Sequence, residues 1–266
     1  MPELPDLHVF SMNLKKRILN KTISSVEVFN KRIINTPKLF SDTLTGTSVQ
    51  DIVRDGKELS FLLANNNCFN VHLMLKGNFY ITGRDDAAKI PSKITALFFD
   101  EAPSPNESVF VIADEKGLCR ITLNPKTPQS PDALSQAFTP EYFSNALRKN
   151  ARKNIKAVLT DQSVVRGIGN AYADEILWKA GISPESAAGK IPEEKTGELY
   201  QAISFIFDDA IRNIQKISPD IINGEERSFL RVHNPNKKYT DEGSKIIVKT
   251  VASKMTYFTG EQKLFI

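Results

Sequence analysis

The spacing of apolar residues changes near residue 130, and this change divides the chain into parts of different secondary structure. Before residue 124, short runs rich in β-branched and aromatic side chains predict strands. From Thr139 to about residue 216, apolar residues recur at helical spacing. The intervening Asn124–Asp132 holds three prolines in nine residues, which is typical of a linker. We therefore predict an α+β protein with a strand-rich first part and a helical second part.

A helix is predicted to precede the strands. Leu7, Phe10, Leu14 and Ile18 recur at three- and four-residue steps, which indicates a helix over residues 5–19. Six strand-like runs follow, divided by Gly, Asn, Asp and Pro, and their spacing suggests a sandwich or barrel. The runs cover residues 23–28, 48–53, 58–63, 68–73, 95–99 and 109–113.

The second part begins as helices and ends as strands. Thr139 followed by Pro140 predicts a helix start, and helical patterns follow near 153–161, 171–180 and 193–216. Strand-like runs return at 245–251 and 255–258, and residues 252–254 form the predicted hairpin tip. The resulting domain prediction is residues 1–125, a linker at 126–139, a helical domain at 140–226 and a hairpin at 227–266.

Composition excludes several classes of protein. The 266 residues contain no run of eighteen apolar residues and no signal-peptide pattern, so we expect a soluble protein in the cytoplasm or otherwise inside the cell. Two cysteines, Cys68 and Cys119, cannot form a disulfide framework or a four-cysteine zinc site. We predict no metal and no cofactor.

The first residues, Met1-Pro2-Glu3-Leu4-Pro5, carry a candidate nucleophile. Removal of Met1 would leave the secondary amine of Pro2, and an α-amino group with a pKa near 8 is partly neutral at pH 7. Such an amine can form an iminium ion with a sugar aldehyde carbon, and Glu3 would supply a carboxyl group for proton transfer. The alternative is an extended lead-in to a helix, with Pro5 in its first turn. Retained Met1 would make the Pro2 nitrogen an amide.

The segment from Asn154 to Pro184 predicts an anion-binding turn. A helix, a turn containing Gly167 and Gly169, and a second helix beginning at Asn170 would present backbone amides to a phosphate. The Asn170 side chain adds a donor. The alternative is an ordinary helical hairpin in which the glycines fit a tight loop.

Positive charge concentrates in two places although the net charge is only +4. Residues 148–156 hold five basic side chains, ending with Lys156, and no acid. Residues 227–266 hold eight Lys or Arg against three acids, a local net charge of +5. Such runs are often solvated faces, but beside an anion-binding turn they favour contact with DNA phosphates.

Lys57 follows Asp55-Gly56, a glycine turn that could display the lysine at the start of a strand. The alternative is an ordinary surface lysine.

Several of these stretches occur together, in the same order, in one known family. They are Pro2-Glu3-Leu4-Pro5, Lys57, the helix–two-turn–helix segment from Asp161 to Gly181, and Thr256-Tyr-Phe with Gln262. Along its whole length the chain resembles the formamidopyrimidine-DNA glycosylase and endonuclease VIII family of base-excision repair enzymes. The resemblance implies an N-terminal β-sandwich with a leading helix, a helical domain and a hairpin finger, with DNA in the cleft between them.

The resemblance also implies roles for particular residues. Pro2 would be the Schiff-base nucleophile, Glu3 the acid/base group, Lys57 a catalytic or phosphate-binding lysine, and Asn170 a phosphate clamp. A monomer would bind damaged double-stranded DNA, flip out an oxidised or ring-opened base, cut its glycosidic bond and break the strand by β,δ-elimination. Gly169 and Lys156 are further DNA-binding candidates from the turn and the basic run.

Four departures from the family pattern modify these expectations. No cysteine follows Cys119, so the finger resembles the zincless variant. Lys254 stands where the finger usually has an arginine, so the phosphate grip should be weaker. Leu75 occupies the methionine position of the void-filling pattern at residues 72–77. A second loop, at residues 114–119, lacks the arginine and phenylalanine of the family, and that arginine is linked with reading the base opposite the lesion. We therefore expect a broad preference, or one for oxidised pyrimidines or ring-opened lesions, over strict recognition of an oxidised purine paired with cytosine.

Two other classes of protein fit part of the sequence. One is a lesion-binding protein of the same fold without catalysis, which retained Met1 or an inaccessible Pro2 would favour. The other is a ribosomal or RNA-binding interaction module, because a similar helix–two-turn–helix occurs there. Pro2 and Glu3 have no purpose in either class.

Overall fold

A computed structural model of the chain describes residues 1–100 and 107–266. The described residues form two compact units. Unit 1 comprises Met1–Pro2, Asp6–Thr127 and Ser218–Glu225, and unit 2 comprises Glu3–Pro5, Pro128–Ile217 and Glu226–Ile266. None of the helices in these described residues is long and apolar enough to cross a membrane.

Unit 1 contains two four-stranded antiparallel sheets that share one hydrophobic core. One sheet has the order β1-β6-β7-β5 and the other β2-β3-β4-β8. The strands are β1 (Ile23–Val28), β2 (Val49–Asp55), β3 (Glu58–Leu63), β4 (Cys68–His72), β5 (Gly77–Thr82), β6 (Lys93–Phe99), β7 (Val109–Asp114) and β8 (Arg120–Leu123). Phe61 and Phe69 stack in the core with ring centroids 4.6 Å apart. This arrangement confirms the predicted sandwich.

Three helices accompany the sheets, α1 (Leu4–Ile18), α2 (Pro37–Leu44) and α3 (Arg84–Lys89). The four apolar residues that predicted α1 are buried, at most 1% exposed, and pack in the core of unit 1. Leu4, the first residue of α1, instead packs in the core of unit 2. The helical spacing therefore identified the face of α1 that packs on the sheets, and Leu4 lies outside that pattern.

Unit 2 is built from four helices and a hairpin. The helices are α4 (Pro140–Lys149), α5 (Ile155–Thr160), α6 (Asn170–Lys179) and α7 (Glu193–Ile217). Thr139 caps α4 by accepting a hydrogen bond from the Tyr142 amide at 3.1 Å, as its position before Pro140 predicted. Asn154 caps α5 in the same way through the Ala157 amide, at 2.8 Å. Phe143, Tyr172 and Phe207 lie fully buried between the helices.

The hairpin consists of β9 (Ile246–Val251) and β10 (Lys254–Thr259). Its two-residue turn is Ala252-Ser253, with φ of 51° and 60°. Two successive residues with positive φ match the right-handed twist of a hairpin. Lys254, which the sequence placed in the tip, is the first residue of β10 and pairs with Val251.

The segment Ser218–Glu225 differs from the predicted division, which placed it with the helices. It belongs to unit 1. The Asn13 side-chain amide donates to the carbonyls of Pro219 and Ile221, at 2.8 and 2.9 Å, and Ile222 is buried in the unit 1 core. The chain therefore leaves unit 2 after α7, contributes to unit 1, and returns at Glu226.

Candidate functional site

The Glu3 side chain caps the N-terminus of α6. Glu3 is only 4% exposed, and its Oε1 accepts a hydrogen bond from the Ala171 backbone amide at 3.1 Å. The first amides of a helix have no partner within the helix, and the aligned peptide dipoles favour negative charge there. The predicted anion-binding site therefore exists, but the anion in it is a carboxylate of the chain itself. The Ala171 amide is not available to a DNA phosphate in this arrangement.

Two glycines in the turn before α6 allow this approach. A Cβ atom on Gly169 would overlap the Glu3 carboxyl group, and one on Gly167 would overlap the Leu4 side chain. Gly167 also has a φ of 102°, a conformation that other residues rarely adopt. The close approach of the Glu3 carboxyl group therefore explains why a glycine stands at position 169, which was predicted as a DNA-binding residue.

The Gln162 side chain forms two hydrogen bonds with the backbone of the same turn. Its side-chain oxygen accepts from the Gly167 amide at 3.0 Å, and its side-chain nitrogen donates to the Ile168 carbonyl at 2.9 Å. These bonds satisfy backbone groups that the turn would otherwise leave unpaired. These two partly buried bonds fix the backbone that faces Glu3.

Pro2 is buried and follows Met1, which is present in this structure. The Met1 ammonium pairs with the Glu225 carboxylate at 2.8 Å within unit 1. While Met1 remains, the Pro2 nitrogen is an amide and cannot act as a nucleophile. Amine chemistry at residue 2 therefore requires removal of Met1.

Asn170 bonds to the hairpin residue that follows Lys254. The Asn170 side-chain nitrogen donates to the carbonyl of Met255 at 2.9 Å, and Lys254 is exposed beside it in sequence. A side-chain amide has two N–H donors, so this bond leaves one for another acceptor. The Met255 peptide thus links Asn170 to the strand that begins with Lys254.

Lys156 requires a correction. Its side chain is 0% exposed, and its ammonium lies 2.6 Å from the Asp174 carboxylate. Burial lowers the pKa of Lys156, and the adjacent Asp174 carboxylate opposes that effect. The prediction that Lys156 contacts DNA is wrong for this arrangement, whereas the other basic residues of the run are exposed. Those are Arg148, Lys149, Arg152 and Lys153.

Lys57 lies at the tip of a hairpin in unit 1. Gly56, with φ of 60°, and Lys57 form the two-residue turn between β2 and β3, where Asp55 pairs with Glu58. The Lys57 side chain is half-buried. The glycine turn therefore places Lys57 directly before the first residue of β3.

His72, the last residue of β4, is a further candidate. Burial lowers the pKa of His72 below the ordinary value of a histidine, which favours the neutral ring; the Glu58 carboxylate opposes this effect, and the positive charges of Lys57 and Arg120 add to it. Its Nδ1 lies 3.0 Å from the Met74 amide and accepts from it, which leaves the proton on Nε2. His72 can therefore donate a hydrogen bond close to Lys57. The available signal was its position near the end of a predicted strand, five residues before Gly77.

Two leucines project from neighbouring loops of unit 1. Leu75 is 58% exposed and Leu118 is 42% exposed. The loop of Leu75 ends beside the start of the loop of Leu118, because Gly77 pairs with Asp114. The Asp114 carboxylate accepts from the amides of Lys116, Leu118 and Cys119 at 2.6–2.9 Å, which fixes the second loop. Exposed leucines on ordered loops can act as apolar wedges.

Comparisons with known proteins agree with this arrangement. The sequence model described as the formamidopyrimidine-DNA glycosylase N-terminal domain matches residues 1–121, and the one described as its H2TH domain matches residues 130–220. A formamidopyrimidine-DNA glycosylase of Carboxydothermus hydrogenoformans is 34% identical over 87% of this chain and 86% of its own. One from Brevibacillus brevis is 29% identical over 97% of both chains.

Solved structures of the same family resemble this chain along nearly its whole length. The Lactococcus lactis Fpg protein in complex with DNA containing an abasic site has a TM-score of 0.84 and 26% identity, over 97% of this chain and 98% of that one. A variant of that protein in complex with DNA containing Fapy-dG has the same TM-score and 27% identity, over the same shares of the chains. From the two domain matches and this similarity, the chain belongs to the formamidopyrimidine-DNA glycosylase family.

Proposed function

We propose that this protein is a bifunctional DNA glycosylase and AP lyase that removes oxidised or ring-opened bases from double-stranded DNA. The observation that carries the proposal is the buried Glu3 carboxyl group on the α6 N-terminus, one residue after Pro2. Family membership supports it, as do the DNA complexes of the Lactococcus lactis relative. Action on DNA implies a location inside the cell.

The chemistry follows from the two residues. After loss of Met1, the Pro2 nitrogen attacks C1′ of the damaged nucleotide, the bond from C1′ to the base breaks, and the base leaves with a proton. The C1′–O4′ bond of the sugar then breaks as O4′ takes a proton, which leaves an iminium ion between the Pro2 nitrogen and C1′. Because this cation draws electrons from the sugar, loss of a C2′ proton breaks the bond to the 3′ oxygen. A second elimination breaks the bond to the 5′ oxygen. We assign the proton transfers at the sugar to Glu3, which the backbone amide of Ala171 holds in place.

DNA binding is assigned to residues of both units. In unit 2, Asn170 and Lys254 would hold a phosphate, together with the exposed basic residues before α5. In unit 1, Lys57 and the neutral His72 would donate to phosphate oxygens, and Leu75 would enter the space left by a flipped base. The sheet-rich residues 1–125, the helices of 140–226 and the hairpin of 227–266 thus take the roles of a catalytic domain, a DNA-binding domain and a finger.

Incubation with a duplex that carries one ring-opened guanine tests this function. We expect release of the damaged base and a strand break with phosphate at both new ends, whereas the same duplex without the lesion should stay intact. Mass spectrometry should confirm that Met1 is absent from the protein used. Tight binding of the lesion by protein that lacks Met1, without base release, would instead establish the lesion-binding alternative.

A further inference from the structure

Lys156 is a buried cation with three oxygen partners. Its Nζ lies 2.6 Å from Asp174 Oδ1, 2.7 Å from the Thr256 hydroxyl and 3.3 Å from the Met255 carbonyl oxygen. Removing an ammonium from water is costly unless such partners compensate. Two of the three belong to β10, so the ammonium joins α5 to both α6 and the hairpin.

Asp174 and its neighbour Glu175 extend this connection. Asp174 Oδ2 accepts from the Tyr257 amide at 2.9 Å and lies 2.7 Å from His233 Nδ1. Glu175, also buried, accepts from three successive backbone amides at 2.8–3.1 Å. Those amides belong to Arg231, Val232 and His233. The two carboxylates of α6 therefore hold both the segment that enters the finger and its last strand.

The Met255 carbonyl connects this buried network to the candidate phosphate site. It accepts from Lys156 Nζ and also from the Asn170 side chain, at 2.9 Å. Lys254 precedes it directly in β10. A displacement of the Met255 peptide would therefore move Asn170 and Lys254 relative to each other.

We propose that Lys156 is a positioning residue, whose buried contact with Asp174 and Met255 sets Asn170 and Lys254 to grip one DNA phosphate together. The inference rests on the proposed function. A buried ion pair is often no more stabilising than apolar side chains of similar volume, so stability alone does not account for the Lys156–Asp174 pair. Its directional bonds do fix the place of β10 on α5 and α6, which apolar contacts would define less sharply.

Binding of a duplex containing a tetrahydrofuran abasic analogue tests this, because that sugar has no aldehyde and cannot form a Schiff base. We expect Lys156→Met to weaken binding at least about tenfold. The slope of log Kd against log salt should fall by about one unit because one phosphate contact is lost. The rate of borohydride trapping on saturating abasic DNA should stay within about twofold of the wild type. Lys195→Met, which removes a surface lysine paired with Glu198 on α7, is the matched control and should change none of these.

A double variant separates positioning from stability. Lys156→Met combined with Asp174→Asn leaves no unpaired buried charge and keeps a side-chain oxygen as acceptor for the Tyr257 amide. It should recover most of the Tm that Lys156→Met loses, but we expect the binding defect and the reduced salt slope to persist. Wild-type affinity and slope in the double variant would overturn the proposal.

If neither Lys156 variant folds, Thr256→Val tests the positioning role instead, because it keeps the side-chain volume and removes one oxygen partner of the Lys156 ammonium. It should weaken binding several-fold, and wild-type binding would refute the proposal. If wild-type protein without Met1 gives no borohydride adduct, the proposed function fails, while these binding measurements still test the positioning role.

Discussion

Glu3→Gln is expected to slow base excision by about a hundredfold or more, since general acid–base catalysis contributes about 10²–10⁴-fold to a rate. Glutamine has the shape of glutamate and can still accept from the Ala171 amide, but it cannot transfer a proton as a carboxyl group does. Affinity for the abasic-analogue duplex should therefore stay within a few-fold of the wild type. Single-turnover excision at saturating protein measures the rate without the contribution of binding.

Glu198→Gln is the matched control for this experiment, because Glu198 is a partly exposed residue on α7. It should excise at the wild-type rate. Excision by Glu3→Gln at close to the wild-type rate would remove Glu3 from the chemistry and leave it a capping residue of α6.

Gly169→Ala is expected to cost about a hundredfold in excision through its effect on Glu3. The new methyl group would overlap the Glu3 carboxyl group, so either that group leaves the helix N-terminus or α6 shifts. A displacement of about 1 Å in a catalytic group can reduce a rate about a hundredfold. The φ of Gly169 is −112°, which alanine adopts without strain, so the backbone itself should tolerate the change.

A control and a double-mutant cycle make this prediction specific. Gly197→Ala places a methyl group in open space on α7 and should leave excision unchanged, with a stability gain of up to about 1 kcal/mol. In the Glu3→Gln background, Gly169→Ala should add little because it acts through the same side chain. Equal losses in both backgrounds would show that Gly169 acts independently of Glu3, for instance on a DNA phosphate as the sequence first predicted.

Local patterns in the sequence predicted most of the secondary structure. The spacing of Leu7, Phe10, Leu14 and Ile18 identified α1 and its buried face, and Thr139-Pro140 identified the start of α4. Residues 245–258 predicted the hairpin, although Lys254 lies in β10 rather than in the turn. These features depend on neighbours within a few residues, which is the range that periodicity reports.

Contacts between distant residues could not be predicted in the same way. Glu3 meets Ala171 across 168 positions, and nothing near either residue indicates the contact. Lys156 ends a run of exposed basic residues, so its sequence context is that of a surface residue, although it is buried and pairs with Asp174. Two adjacent acids within the otherwise largely apolar α6, Asp174 and Glu175, were the available signal for buried partners. Segment Ser218–Glu225 joins unit 1 through hydrogen bonds and one buried isoleucine, which leave no periodic pattern.

Intact-mass analysis after incubation with an abasic-site duplex and borohydride tests the central claim most directly, when peptide mapping of the adduct follows. The account predicts one covalent adduct per chain, located on residue 2 of protein that lacks Met1. An adduct on a lysine such as Lys57, or no adduct at all although Met1 is absent, would contradict it.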